Sequence, residues 1–305
     1  MMKIKRIKFK NHPILKNLEL DFCDRDGRVM DTIIIAGENG TGKSTLLNYL
    51  YGFAEGRVTE EATIVLCEDK EEYTFKLFRH NNSGLMYVFV NDKEKKIFMD
   101  KQIRKDYKIS GIFSDVDINF NAEEVSSVTS MNIDESDHSR RSTTNLPKQI
   151  KQLLIDVQAL DDASLAHAMR NNPQKNKDAL KIVERMPRFT RAFAWMFKGL
   201  NYDRVENLNG HKVIYFKKYG KDVEIDQLSS GEKQLVYRGC FLLRDVNATS
   251  GAFVFIDEPE ISLHPTWQKK IMEYYKRIFT REDGCQTSQI FTVTHSPFIM
   301  ALLQF

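Results

Sequence analysis

Residues 37–44 read Gly-Glu-Asn-Gly-Thr-Gly-Lys-Ser, which matches the pattern G-x-x-x-x-G-K-[ST]. That spacing suits phosphate. Glycines at 37, 40 and 42 let the backbone curl until successive N–H groups converge on phosphate oxygens. Lys43 adds a point charge for the β and γ phosphates, and Ser44 offers a hydroxyl to Mg²⁺. Asn39, Thr41 and Thr45 complete the expected nucleotide-binding segment. A second group lies far along the chain, where Phe253-Val254-Phe255-Ile256 runs apolar into Asp257-Glu258. Adjacent carboxylates in different surroundings can divide the work. Asp257 is expected to orient Mg²⁺, directly or through water, and Glu258 to polarise the attacking water as general base.

These residues need particular elements behind them. Thr32 to Ala36 is a short apolar run that ends at the glycine-rich loop, and helical spacing follows from Lys43 to about Tyr51. Strand, loop and helix in that order open a doubly wound α/β core, and the helix N-terminus adds positive potential for phosphate. A buried parallel strand at Ala252–Ile256 delivers its acids to the sheet's C-terminal edge, beside the phosphate loop. Another buried strand at Gln289–Val293 leads to Thr294-His295-Ser296.

Composition bounds the rest. The chain has 305 residues, with 45 Lys+Arg against 42 Asp+Glu. The formal charge of +3 gives no global electrostatic case for nucleic acid, so any such site must be a local patch. Candidates are Lys3, Lys5, Arg6, Lys8 and Lys10, then 93–105, then Arg140-Arg141, each also readable as solvated surface. The four cysteines contain no Cys-x-x-Cys pair. This excludes a zinc ribbon or disulfide scaffold and fits a reducing cytoplasm. The basic N-terminus has no apolar h-region after it, and no run of 18 apolar residues exists, so neither a signal peptide nor membrane association is expected.

Between the motifs, alternation at 3–9 and 18–22 predicts two strands. Further strands are expected at 63–67, 73–78, 85–90 and 95–99, forming an antiparallel β lobe, and at 109–113. Residues 126–145 are Ser/Thr/Asn-rich and read as a mobile loop. Helical spacing dominates 146–200, broken at Pro173 and Pro187, with Phe189, Phe193, Trp195 and Phe197 read as core. A hairpin at 213–225, a helix at 231–246 and a helix at 266–279 complete the expectation.

Leu228-Ser229-Ser230-Gly231-Glu232 stands before the acidic strand and opens a helix. Ser229 or Ser230 as N-cap with Glu232 in the first turn accounts for this stretch without any ligand. It also resembles the Leu-Ser-x-Gly-Glu signature of ATP-binding-cassette (ABC) ATPases. The resemblance implies that Ser229, with the Ser230 and Gly231 amides, closes over the γ-phosphate held by another subunit's phosphate loop. It makes 260–265 a D-loop region and His295 the switch histidine contacting the γ-phosphate. Glu258-Pro259-Glu260-Ile261-Ser262-Leu263-His264-Pro265 and the opening 4–11 resemble the soluble RecF/SMC/OLD-like branch, including Septu- and retron-type phage-defence ATPases. No Q-loop glutamine matches, since Gln102 lies among charges.

The expected fold is therefore α/β: an ABC-ATPase P-loop core with an antiparallel β lobe and an inserted helical lobe. The expected division is 1–125 for the N-terminal core and β lobe, 126–205 for the loop and helical insert, and 206–305 for the C-terminal core. The resemblance implies Lys43, Glu258 and His295 as catalytic residues, ATP and Mg²⁺ as cofactors, and a head-to-tail dimer across ATP. It further implies an effector protein such as a nuclease or toxin, with DNA or RNA as a further partner, in antiphage defence. An ATP-stabilised scaffold and a transporter's ATPase subunit stay open as alternatives.

Overall fold

Four strands rich in β-branched and aromatic residues build the sheet that carries the phosphate loop. In the computed structural model they are β3 (Thr32–Ala36), β8 (Gly111–Ser114), β12 (Phe253–Asp257) and β13 (Gln289–Thr294). They pair in parallel in the order β3-β13-β12-β8. Every residue of β8, β12 and β13 is buried, as expected for strands covered on both faces. The structure describes residues 1–80, 85–98, 101–114, 146–174, 176, 180, 185–243, 251–281 and 283–301. The expected loop at 126–145 lies outside them.

The chain divides into two units. The first comprises Met1–Asp115, Asn247–Pro259 and Gln286–Phe305. Beside the parallel sheet it holds six further strands: β1 (Met2–Phe9), β2 (Glu19–Asp21), β4 (Ala62–Glu68), β5 (Glu71–Arg79), β6 (Met86–Val90) and β7 (Glu94–Ile97). They form an antiparallel sheet in the order β2-β1-β4-β5-β6-β7. Helix α1 (Lys43–Glu55) buries Leu46, Leu47, Leu50, Phe53 and Ala54. Phe53 meets Phe75 of β5 edge-on and stacks on Phe98, so one apolar core joins α1 to the antiparallel sheet. Gly111 brings β8 close to α1: an added Cβ would lie 2.7 Å from the Ala54 Cβ.

The two sheets of this unit are joined by a side chain. Fully buried Gln289 accepts from the Ile4 N–H (2.6 Å) and donates to the Ile4 carbonyl (3.0 Å) and the Met30 carbonyl (3.0 Å). The β1–β4 register shifts between Ile4 and Arg6. Gln289 thus satisfies backbone groups whose burial without partners would cost about 1–3 kcal/mol each.

The second unit comprises Val116–Val246 and Glu260–Cys285. It holds α3 (Leu146–Asn171), α4 (Met186–Met196), α5 (Ser230–Leu242), α6 (Pro265–Gln268) and α7 (Ile271–Ile278). Its strands are β9 (Leu200–Leu208), β10 (His211–Lys218) and β11 (Lys221–Glu224), in the order β11-β10-β9. Phe189, Phe193, Phe197 and Phe216 are buried, and the Phe193 ring meets the other three. Helix α4 has no cap of its own, and the buried Asp161 carboxylate of α3 accepts the Arg185 and Met186 N–H groups at 2.8 Å each. Gly239 on α5 faces the Tyr274 hydroxyl at a position where a Cβ would lie 2.2 Å away.

Three elements differ from expectation. The helix expected at 266–279 is broken at Lys269-Lys270 into α6 and α7, with the Lys270 N–H turned back to the Trp267 carbonyl. β9 has no clear alternation in sequence, because its last three residues, Glu206–Leu208, are exposed on both faces. Helix α2 (Lys101–Asp106) buries only Ile103, too little for a periodic signal. Trp195 also departs from its core reading: it is only half-buried.

Candidate functional site

Three strand ends meet at one edge of the parallel sheet. Thr294 lies opposite Ala36, and Asp257 opposite Val293. Parallel strands in this register deliver the residues after Ala36, Asp257 and Thr294 to the same edge. The loop from Gly37 leaves there. Gly40 and Gly42 take φ of 78° and 91°, a region that favours glycine. At Gly42 packing adds a second constraint, since a Cβ would lie 2.8 Å from Leu15 Cδ2 and 3.2 Å from Ile14 Cγ2.

Inside the loop the Thr41 hydroxyl donates to the Glu38 carbonyl at 2.9 Å. The buried Lys43 ammonium donates to the same carbonyl and contacts Thr41 Oγ1 at 3.4 Å. The lysine therefore spans the inside of the loop. Asn39 is exposed, and Ser44 and Thr45 sit in the first turn of α1. That helix begins without a side-chain cap or an acidic residue in its first turn. Its N-terminal dipole is left uncompensated, as an anion-binding end requires.

The Ser44 hydroxyl donates to Asp257 Oδ1 at 3.4 Å, joining the start of α1 to the end of β12. Glu258 follows with φ of 43°, uncommon for a residue with a side chain, and its N–H donates to the Val293 carbonyl at 3.0 Å. This turn brings Glu258 Oε1 to 3.3 Å from His295 Nε2. The chain beyond His295 is fixed in turn. Thr294 Oγ1 accepts the Ser296 N–H at 3.0 Å, and Ser296 Oγ caps α8 (Pro297–Met300) through the Phe298 and Ile299 N–H groups.

A serine hydroxyl and a carboxylate oxygen this close suit a hard cation. Magnesium takes one or two protein oxygens at about 2.1 Å and completes its shell with water and phosphate. Among the described residues no group of three or more His, Cys, Asp or Glu could hold a metal by itself, so an all-protein metal cage is not offered there.

In the second unit, Ile225–Gln227 forms a single 3₁₀ turn closed by a reciprocal capping box between Glu224 and Gln227. Leu228 is extended and buried, and α5 begins after it. Ser229 and Glu232 cap this helix reciprocally: the Ser229 N–H donates to Glu232 Oε2 at 2.8 Å, and the Glu232 N–H to Ser229 Oγ at 3.4 Å. Ser229 and Ser230 are exposed, while Gly231 packs where a Cβ would lie 2.9 Å from Trp267 and 3.1 Å from the Ser262 carbonyl. The Lys218 ammonium holds the buried Glu232 carboxylate at 2.9 and 3.1 Å. Burial alone would raise the Glu232 pKa. The Lys218 and Ser229 donors outweigh it and hold the carboxyl below its usual range. In the following segment Ser262 takes φ of 62°, and His264 Nδ1 caps α6 by accepting from the Thr266 N–H at 3.3 Å.

Lys218 carries no motif and is not among the residues that the sequence singles out. Only the β10 pairing brings it to Glu232, 14 positions later. At the end of β8, where a Q-loop glutamine would be sought, stands buried Ser114, opposite Ile256. Gln102 lies on α2 with its amide donating to Asp106 at 2.6 Å.

Residues 33–301 match a family described as "AAA domain, putative AbiEii toxin, Type IV TA system". The chain belongs to that AAA-domain family. Among solved structures it is similar to an SMC head bound to the C-terminal winged-helix domain of ScpA, with a TM-score of 0.58 at 15% identity, covering 98% of this chain and 91% of the other. The SMC head domain of Thermotoga maritima gives 0.54 at 16% identity, covering 98% and 91%. The Pyrococcus furiosus SMC head with an extended coiled coil gives 0.54 at 15%, covering 99% and 92%. The α/β class and the resemblance in fold to SMC-head ATPases are thereby borne out, and the family relationship carries nucleotide binding with it. Among the described residues no helix of this AAA-domain protein is long and apolar enough to cross a membrane.

Proposed function

We propose that this AAA-domain protein is an ATP-hydrolysing switch in which two copies, head to tail, enclose two ATP·Mg²⁺. The supporting observation is the shared sheet edge: the Ser44–Asp257 pair and the Glu258–His295 pair adjoin one glycine-rich loop. In this reading the amides of residues 37–45, together with the side chains of Lys43 and Ser44, bind the triphosphate. Lys43 exchanges its hold on the Glu38 carbonyl for the β and γ phosphates. Ser44 and Asp257 hold Mg²⁺, which when bound screens the phosphate charge and lowers the barrier to displacement. Glu258 orients a water and takes its proton, and His295 donates toward the γ-phosphate.

Ser229, Ser230 and Gly231 serve the nucleotide of the other copy. Their exposure at the start of a helix, already capped from within by Glu232, supports that reading. Hydrolysis would part the two copies and switch an attached effector, a nuclease or toxin, or a hold on DNA, in the bacterial cytoplasm. The toxin and type IV TA wording of the family description supports a role of this kind in antiphage defence.

Phosphate release and ATP-dependent assembly, measured together for wild type and Glu258→Gln, test the reading. The switch requires turnover in wild type, its loss in the variant, and ATP-driven pairing in both. Equal, negligible release with intact pairing would identify an ATP-stabilised scaffold instead.

A further inference from the structure

The turn between β1 and β2 lies against the phosphate loop, since the atoms that would crowd a Cβ at Gly42 belong to Leu15 and Ile14. One imidazole sets the shape of that turn. His12 Nδ1 accepts the Ile14 N–H at 3.1 Å and the Leu15 N–H at 3.0 Å. The backbone of His12 exchanges two hydrogen bonds with that of Lys16 at 2.9 Å each, and the Asn11 N–H donates to Asn17 Oδ1 at 2.9 Å. Asn11 and Lys16 take φ of 52° and 56°, so the turn leans on these bonds to stay closed.

The ring itself is buried and held edge-on. Its centroid lies 5.2 Å from that of Phe9 on β1 and 6.1 Å from that of Tyr49 on α1, and Phe9 meets Tyr49 in turn at 4.8 Å. Tyr49 stands on the helix that begins with Lys43 and Ser44. His12 therefore reaches that helix through its ring, and the phosphate loop through the turn that it caps.

A nitrogen that accepts two N–H groups carries no proton, so the imidazole is neutral with its hydrogen on Nε2. Protonation would set a hydrogen on Nδ1 against the Ile14 and Leu15 donors and break both bonds. The titratable groups on the elements around the ring are already engaged. Lys10 pairs with Glu61 at 2.8 Å, and the Lys16 ammonium donates to the Pro13 carbonyl at 2.6 Å. The Tyr49 hydroxyl donates to the Glu60 carbonyl at 2.8 Å, and burial, then the Glu60 charge, hold that phenol above its ordinary range. Among the described residues no carboxylate pairs with the imidazole to favour its charged form.

We propose that His12 is a positioning residue for nucleotide: its neutral imidazole holds Ile14 and Leu15 against Gly42, and its protonation loosens the phosphate loop. The inference rests on nucleotide binding at Gly37–Ser44, and not on turnover or on pairing of two copies. With the turn closed, Gly42 is fixed before the ligand arrives. With the turn open, the loop must be ordered during binding, which lowers affinity.

The test titrates the full chain with ADP and Mg²⁺ by calorimetry from about pH 8 to about pH 5.5. His12→Asn keeps an acceptor near the place of Nδ1, whereas His12→Gln moves it toward that of Nε2, and neither side chain titrates. At the upper pH, His12→Asn should stay within about twofold of wild type and His12→Gln should bind about three- to tenfold more weakly. The proton of ADP acts alike on every chain, so the ratio of wild-type to His12→Asn affinity isolates the imidazole. That ratio should fall at least about threefold toward the lower pH. In ligand-free wild type, hydrogen exchange corrected for its intrinsic pH dependence should show the Ile14 and Leu15 amides less protected at the lower pH, with Ile64 and Leu66 of β4 unchanged. That readout stands even if a variant misfolds. Wild-type affinity in His12→Gln, a ratio that does not move with pH, or unaltered protection at Ile14 and Leu15 would each overturn the proposal and leave the nucleotide site standing. Absence of ADP binding by wild type would instead overturn the nucleotide reading, and the proposal with it.

Discussion

In the proposed function, the sheet edge of the first unit and the Ser229 corner of the second solve the same problem, presenting polar groups to phosphate, by opposite means. At the edge, each group comes from a different stretch of chain. Ser44, Asp257 and His295 are brought together by strand register and by the packing of α1 on β12, and loop and side chains already bond to one another through Lys43–Glu38, Ser44–Asp257 and Glu258–His295. At the corner, five consecutive residues nearly suffice. Ser229 and Glu232 close their own capping box, and Lys218 reaches in from a distant strand to hold Glu232. The edge is thus a tertiary device and the corner a local one, steadied by a part-buried charge pair. A device built from distant segments can complete a binding pocket within one unit, whereas a short exposed corner needs something to close against.

If that contrast is right, substitutions at the edge and at the corner should fail differently. Glu258→Gln keeps shape and removes the base, so kcat should fall about 100- to 10,000-fold with ATP affinity retained, as read by phosphate release and calorimetry. Ser229→Arg should lower hydrolysis about 100-fold while each copy still binds ATP. Normal turnover in that variant would break the head-to-tail arrangement outright. Lys43→Ala should act the other way, weakening ATP binding about 10- to 100-fold by loss of a charged hydrogen-bond donor.

Lys218→Met probes how the corner is held. It leaves the Glu232 carboxylate buried without its cation and should cost about 1–2 kcal/mol in denaturant unfolding. Because the folded Glu232 carboxyl is depressed, its contribution is complete above the unfolded value of about 4.3 and is lost as pH falls through the lower folded value. In Lys218→Met the depression shrinks, so the acid-side stability lost by wild type over that interval should be reduced. A wild-type acid profile in the variant would show that Lys218 does not hold Glu232. The smallest effect belongs to Lys8→Gln, whose exposed pair with Glu19 should leave Tm unchanged.

Much of the edge is legible in the residues themselves. Gly37–Ser44 and Phe253–Glu258 announce themselves because phosphate binding constrains the backbone locally and a buried strand is apolar throughout. The bend at Lys269-Lys270 leaves no trace in the chain, since no glycine or proline marks it. β9 is silent for the reason its burial shows: a strand half-buried along its middle and exposed on both faces at its end has no alternating pattern to read.

Local chemistry written in the chain dictates which groups could touch phosphate: the short-range backbone geometry of a phosphate loop requires glycine, lysine and serine at fixed spacing, and an acidic pair ends an apolar run. Which of those groups meet is a matter of packing. The Ser44 hydroxyl reaches Asp257 because α1 packs against β12, and His295 reaches Glu258 because β12 and β13 pair in one register and no other. Spacing along a chain cannot state a distance between segments 213 residues apart; hydrogen-bonded register and a shared apolar core can.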